Sequence, residues 1–475
     1  MSLSSAMNTA QAIFNNTGTQ TSTVSKNMAN SGNADYAKRT TIVSTTLFGA
    51  QVSTTVRAQN EVLMRQNLTA ISQNSGQQSV LSALGDMRSV MGGTNYEMSP
   101  AKYLEALRNK IHEYATRPSD QVVGAGVISA AQDAVTALNT ASSEIQRVRA
   151  DADKQIEAQV DKLNNLLSEF KAANDMVTTE TARGGDPNDA LDRRDSLLKQ
   201  ISEIVGVSIV NRENNDVVLY TSDGTTLFET SPRKVTFQRN LFYSASTTGN
   251  AIYIDGVAVD AAKSANTTAL GSLPALLQVR DDIAPTFQSQ LDEIARGLIT
   301  IFAENGGTIA GLFQNGTSTT VPAAGTLVPG LAASIVVAPN AITNPSKVRD
   351  GSVNGTTQNP DNNSSFSTLL DKYDQAFDSS MAFDAAAGID VQKTLITFSS
   401  NSLSWLESLR SSATAAGESK TALLSRSAEA YSNMTGVSLD EELSLMLDLE
   451  QSYKAATKLV SAIDEMLQAL LNIAS

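Results

Sequence analysis

The segment whose residue types and spacing most suggest catalysis is LDRRDS at 191–196. Asp192 and Asp195 stand three apart, so on a helix they share one face. Two neighbouring carboxylates are what a glycoside-type hydrolase uses as acid and base. The same stretch holds Arg193 and Arg194, and an ion-pair network among these four explains it without chemistry. The network is the preferred reading, because Asp and Glu are frequent along the whole chain. His112, the only histidine, closes a helix at 101–116, where partial positive charge suits the dipole; a structural or surface role is expected of it. DGSVNGTTQNPDNN at 350–363 offers oxygen ligands without the spacing of a Ca²⁺ loop. The lone Trp405 reads as core. There is no cysteine, so disulfides, thiolate metal sites and thiol nucleophiles are excluded. Neither a GxxxxGK(S/T) phosphate loop nor a GxGxxG following a strand is found. The chain thus reads as a non-enzyme, with no catalytic, cofactor-binding or metal-binding residues and no cofactor.

Composition narrows the classes further. A length of 475 residues suggests about two to four domains. Lys and Arg number 35 against 49 Asp and Glu, a net charge of -14, and no basic stripe is visible. A nucleic-acid partner is therefore not expected. No run reaches the roughly 18 apolar residues of a membrane span. The first basic residue is Lys26, so MSLSSAMNTAQAIF lacks the charged start of a Sec signal.

What remains to position anything is a set of long helices. Leu3, Met7, Ala10, Phe14, Thr17, Thr21, Val24 and Met28 fall at alternating spacings of four and three. Near the other end Met446, Leu449, Tyr453, Ala456, Val460, Ile463, Leu467 and Leu470 do the same. These are heptad seams, and Ser438 with Glu441 spells a capping box ahead of the second. Both seams are weak, because small residues bury little area. A second row, Leu445, Leu459, Met466 and Ile473, makes the C-terminal stripe too wide for one partner helix. A longer seam runs from Ala134 through Leu138, Ala141, Ile145, Val148, Ala152, Ile156, Val160, Leu163 and Leu167 to Phe170, predicting a helix over about 119–178. Its extra spacings of four around Ala152 and Ile156 read as a stutter. Helices are also expected at 59–91, on Leu63, Ile71, Leu81, Leu84 and Met87, at 101–116, and at 275–303 with a kink at Pro285. Period-two text at 39–59, with a turn signal at Phe48-Gly49, and at 207–259 predicts strands. The fold class expected is mainly α with inserted β. Its terminal helices pair as a coiled coil, long helices form a bundle rod, and a β-rich domain is inserted mid-sequence. The domains read as 1–30 with 440–475, 31–206 with 271–303 and 366–439, and 207–270 with 304–365.

VSKNMANSGNADYAKRTTIV at 24–43 resembles the N-terminal signature of bacterial flagellar rod, hook and hook-associated proteins. Asn27, Ala29, Asn30 and Tyr36 match it and Met28 is a close substitute, while Lys26, Asn33 and Asp35 depart from it. Gly49, Val52, Val56, Arg57 and Leu63 continue the likeness. DPNDALDRRDSLLKQISEIVGVSI is similar to the segment closing the long helical region in the family's hook–filament junction members. Asp192, Arg194 and Asp195 lie among its matched residues. The block from Thr435, with Gly436, Val437, Leu439, Asp440, Glu441, Glu442, Gln451 and Tyr453, resembles the close of the same members.

The resemblance implies a structural axial protein that joins hook to filament by subunit packing and is needed for filament assembly. The paired termini would form an inner tube, with the rod outside it and the β-rich domain facing outward. Subunit packing would fall to Leu3, Met7, Ala10, Phe14, Val24, Met28, Met446, Leu449, Tyr453, Val460, Ile463, Leu467 and Leu470. Neighbouring subunits would thus complete the core of the apolar end. Residues 1–30 and 440–475 are expected to order only on assembly. Implied partners are a ring of the chain's own copies, hook protein, hook-associated protein 3, the type III export apparatus and an export chaperone. The chaperone would bind Leu459, Ile463, Met466 and Leu467 by the helix-in-groove mode. The implied location is extracellular, at the hook–filament junction, reached without a Sec signal. Two alternatives stay open: a non-flagellar type III secreted translocator or effector, and a cell-wall hydrolase carried in the β insert.

Overall fold

The computed structural model describes residues 3–45 and 51–474. The chain opens with helix α1 (Leu3–Ala29) and an antiparallel hairpin, β1 (Arg39–Thr45) with β2 (Gln51–Arg57). The turn expected at Phe48-Gly49 lies outside the described residues. Four helices follow: α2 (Glu61–Val90), α3 (Pro100–Thr116), α4 (Gln121–Arg183) and α5 (Asn188–Ile204). Next come six strands: β3 (Val207–Asn211), β4 (Val217–Thr221), β5 (Thr226–Phe228), β6 (Val235–Thr236), β7 (Tyr253–Ile254) and β8 (Val257–Ala258). Helices return as α6 (Ser272–Gln278) and α7 (Ala284–Ile301), and β9 (Phe313–Asn315) follows. After it lie α8 (Leu331–Ser334), β10 (Ile335–Val337), α9 (Pro339–Thr343), α10 (Ser346–Asp350) and α11 (Thr368–Phe377). The last elements are β11 (Met381–Ala382), β12 (Gln392–Lys393), α12 (Leu395–Thr435) and α13 (Leu439–Ala474). The fold is mainly α with small inserted sheets.

The chain divides into two compact units, one of 1–71, 163–234 and 421–475, the other of 72–162 and 235–420. In the first, α1 packs on α13, and β3-β4-β5 form an antiparallel sheet. The turn between β3 and β4 places Asn214 and Asn215 at φ of 57° and 58°, a left-handed conformation that asparagine tolerates better than most residues. Phe170 of α4 meets Phe228 of β5 edge-on, with centroids 5.1 Å apart. Leu163, Leu167, Leu197, Ile201 and Leu219 are buried in this unit.

In the second unit the long seam of α4 is buried at each expected position from Ala134 to Val160. So are Leu104, Leu107, Ile111 and Tyr114 of α3. Phe302 is ringed by Phe313, Tyr373 and Phe377, at centroid distances of 5.2, 4.8 and 5.9 Å. The kink expected at Pro285 takes the form of a π-turn, Val279–Ile283, just before α7. Proline lacks an N–H and crowds the carbonyl four residues earlier, so the wider turn relieves it. The π-turn positions Arg280, whose guanidinium donates to Asp153 Oδ1 at 2.6 Å and to the Asn250 carbonyl at 2.8 Å.

Helix α2 differs from expectation at its face. Leu84 and Met87 are buried, but Leu63, Ile71 and Leu81 are only half-buried, and Met64, Leu68 and Val80 fill the core instead. Met64 and Val80 each lie one residue from the expected Leu63 and Leu81, which a 3.6-residue period permits at the edge of a stripe. Gly76 on this helix lets the 269–271 segment approach closely: a Cβ there would lie 2.8 Å from the Ala269 carbonyl oxygen and 2.9 Å from its Cβ. Gly76→Ala should therefore cost about 1–3 kcal/mol of overpacking, more than the roughly 1 kcal/mol that alanine gains in helix propensity. A lowered urea midpoint would be the readout; an unchanged or raised one would refute the clash.

The candidate chemistry of the second unit resolves into structure. His112 Nδ1 lies 3.2 Å from Asp374 on an exposed face. Trp405 stacks on Phe287, and Asp350 is bonded to Arg349 and Asn359. Among the described residues no group of three or more acidic or histidine side chains is placed to hold a metal ion. No helix of these residues is long and apolar enough to cross a membrane.

Candidate assembly surface

The α1–α13 pair closes on small residues. Ala10, Thr17 and Val24 of α1 and Leu449, Ala456 and Ile463 of α13 are buried. Phe14 lies edge-on to Tyr453, with centroids 5.1 Å apart. Phe14, Met28, Met446 and Val460 are half-buried, whereas Met7, Tyr453 and Leu467 are exposed although they lie on the seam. The side chains of Leu3, Leu470 and Ile473 lie outside the described residues. Leu445, Leu459 and Met466 are exposed, because one narrow helix cannot cover a stripe that wide. A third row, Leu439, Leu443 and Leu447 at four-residue spacing, is exposed too. That row was not among the expected apolar positions, although its four-residue repeat is visible in the sequence.

At one end of this pair the signature residues converge. The buried Asn27 amide uses its full hydrogen-bonding capacity. Nδ2 donates to the Arg39 carbonyl at 2.8 Å and to Glu442 at 2.9 Å; Oδ1 accepts from Tyr36 Oη at 2.8 Å and from Arg39 N at 3.1 Å. One side chain thereby ties α1, the start of β1 and α13 together. Asn27→Ala would strand a tyrosine hydroxyl, a backbone amide and a buried carboxylate. Each such loss costs about 1–3 kcal/mol and the losses overlap, so about 3 kcal/mol is expected. Chemical denaturation of the purified chain would register it. Asn30 stays apart from this cluster, donating only to the Lys26 carbonyl at 2.9 Å, where α1 ends.

The LDRRDS carboxylates take partners other than those expected. Asp192 receives Arg39 Nη2 at 2.9 Å and Arg57 Nε at 2.6 Å; Asp195 receives Arg57 Nη2 at 2.5 Å. Arg193 instead pairs with Glu169, and Arg194 donates to Asn174 and to the Asn215 carbonyl. Adjacent residues on a helix point in different directions, so neighbours in sequence are poor ion-pair partners. Arg39 and Arg57 face each other across the β1–β2 register, which presents both to α5. Burial works against the Arg57 charge, yet Asp195 and Asp192 outweigh it and raise its pKa further above the ordinary arginine range. Burial and Asp195 push the Tyr431 phenol up to about 12.

The capping box forms only in part. Ser438 Oγ accepts from Glu441 N at 3.5 Å, while the Glu441 carboxylate turns to Lys38 at 2.6 Å. Lys38 also donates its backbone N–H to the Thr435 carbonyl at 2.7 Å, so the chain after α1 is held to the α12–α13 junction.

Residues 84–307 match the family model of the flagellar hook-associated protein FlgK helical domain, and residues 428–473 match that of the flagellar basal body rod FlgEFG protein C-terminal region. Over these two segments the chain is similar to flagellar hook-associated and rod proteins. It is 26% identical over 243 residues to flagellar hook-associated protein 1 of Salmonella typhimurium, covering 48% of this chain and 42% of that one. That match spans less than half the relative's length. The corresponding Bacillus subtilis protein is 22% identical over 422 residues, 82% of this chain and 79% of that one. Among solved structures, the flagellar hook junction protein FlgK from Burkholderia pseudomallei superposes with a TM-score of 0.44 at 21% identity, over 53% of this chain and 47% of that one. Within this chain the Asn27 and Asp192 clusters draw together the N-terminal signature, the end of α4–α5 and the start of α13, two of which lie inside the family matches.

Proposed function

We propose that this chain is a structural axial protein of the bacterial flagellum, joining hook to filament by subunit packing and required for filament assembly. The observation that carries this reading is α13, which pairs with α1 yet leaves rows of leucine and methionine exposed. Apolar rows of that extent on a helix call for a protein partner. In this reading further copies of the chain supply it. Residues 1–30 with 440–475 form the inner tube, and the inserted β domain, 207–270 with 304–365, faces outward. Hook protein and hook-associated protein 3 are the neighbours along the axis. Before assembly an export chaperone covers Leu459, Ile463, Met466 and Leu467, and the type III apparatus carries the chain to the extracellular junction. The role needs no catalysis.

Deleting the gene and imaging the cells by electron microscopy tests the proposal. Hooks without filaments, with flagellin shed into the medium, are expected; intact filaments would overturn it. Hydrogen exchange of the dilute monomer gives a second test. Because the α1–α13 seam is built of small residues, its amides should exchange close to the unfolded rate and slow markedly on assembly. Slow exchange in the monomer would contradict ordering on assembly.

A further inference from the structure

A cavity of about 230 Å³ lies within the first unit, between the N-terminus of α2, α5 and the β3–β4 turn. Four guanidinium groups line it, those of Arg57, Arg65, Arg194 and Arg212, against two carboxylates, Glu61 and Asp195. Arg65 pairs with Glu61, Arg57 with Asp192 and Asp195, and Arg212 with Glu229. The guanidinium left over is that of Arg194. This residue is 8% exposed; its Nη1 donates only to the neutral Asn174 Oδ1 and the Asn215 carbonyl, and its buried Nε has no hydrogen-bond partner. Among the described residues it forms no ion pair. The nearby carboxylates bond elsewhere: Asp192 to Arg39 and Arg57, Asp195 to Arg57, and Asp216 to the Asn174 amide. Three guanidinium groups are thus buried, those of Arg39, Arg57 and Arg194. Of the carboxylates near them Asp192 is buried, Asp195 and Asp216 are half-buried, and the Asp189 side chain is 89% exposed.

A buried cation without a counterion is costly unless something completes it. The remaining walls indicate what. Met64, Leu198 and Ile209 are apolar, Tyr431 carries a phenol that stays protonated, and the α2 N-terminus adds partial positive charge. Burial, and after it the neighbouring Arg57 charge, depress the Arg194 guanidinium against the pull of Asp195 and Asp216, and an anion would reverse that. The volume is below the roughly 300–1,000 Å³ of drug-sized pockets, so the occupant is small. We propose that this cavity binds a carboxylate on a short apolar stem, with Arg194 as its counterion and Met64, Leu198 and Ile209 around the stem. The carboxylate comes either from a free organic acid or from an acidic side chain of a second copy of this chain.

Isothermal titration of the full chain with hexanoate, hexylamine and inorganic phosphate at matched ionic strength tests this. Hexanoate should bind one per chain, in the millimolar range for so small a ligand, and raise the melting temperature as bound ligands do. Arg194→Gln should weaken binding about tenfold or more. Ile209→Trp, which fills the cavity from a half-buried strand position and leaves Arg194 untouched, should do the same. Absence of a saturable hexanoate signal, or binding unaltered by both substitutions, would overturn the site. Phosphate binding as tightly as hexanoate would overturn the ligand class. Sedimentation of the concentrated chain separates the two sources. Dissociation by hexanoate assigns the carboxylate to a second copy, and unchanged sedimentation with binding intact assigns it to a free acid.

Discussion

Cells carrying Leu467→Asp should build hooks but no filaments, while the purified variant keeps the helicity and urea midpoint of the parent chain. Leu467 lies on the α13 seam but is 41% exposed, so α1 leaves much of it uncovered. A charge placed there meets water in the monomer and costs little. In the proposed tube the same position would face an apolar neighbour, and an unpaired carboxylate buried there would cost several kcal/mol in each copy. Ile463→Asp serves as the contrast. Ile463 is 5% exposed, so this substitution should loosen the α1–α13 pair within the monomer as well as block assembly. Both should also weaken chaperone binding, because each puts charge into the stripe a groove would cover. Circular dichroism, urea titration and a swimming assay together separate the two cases. Normal swimming by the Leu467→Asp strain would remove the basis for α13 as a subunit interface.

The second large effect is expected at Asp192. Its carboxylate sits between two guanidinium groups, at 2.9 Å from Arg39 and 2.6 Å from Arg57, and also accepts from Ala37 N at 3.3 Å. All three side chains are largely buried. Asp192→Asn preserves shape but removes the charge and turns an amide donor toward two cations. Breaking one partner of a buried pair costs about 3–5 kcal/mol, because the remaining charge is left buried and uncompensated. The loss should fall on the first unit and change little with added salt, since screening acts weakly on buried pairs. A double-mutant cycle with Arg57→Met checks the assignment: the double substitution should recover part of the loss. Strict additivity of the two single effects would show that the pair is not coupled. The carboxylates in LDRRDS would then need another role.

The elements most legible in the sequence were those whose pattern repeats over many turns. The α4 seam from Ala134 to Phe170 is buried at each expected position, because a long run of evenly spaced apolar residues admits one face only. The strands within 207–259 were legible for a local reason: a period of two is carried by the residues themselves. Partner choice was not. Asp192 and Asp195 stand beside Arg193 and Arg194, yet pair with arginines more than a hundred residues away. Neighbours on a helix diverge, and only the docking of the β1–β2 hairpin on α5 brings Arg39 and Arg57 within reach. Asn27 was visible as a signature residue, but its four hydrogen bonds depend on three elements meeting.

By itself, then, the sequence determined the helical class, the apolar stripes of the two terminal helices and the excess width of the α13 stripe, since these follow from spacing along one helix. Tertiary structure alone decided which of those apolar residues α1 covers, where the buried arginines find carboxylates, and that Arg194 is left without one. Each of these is a relation between segments far apart in the chain, and periodicity within a segment carries no record of what packs against it.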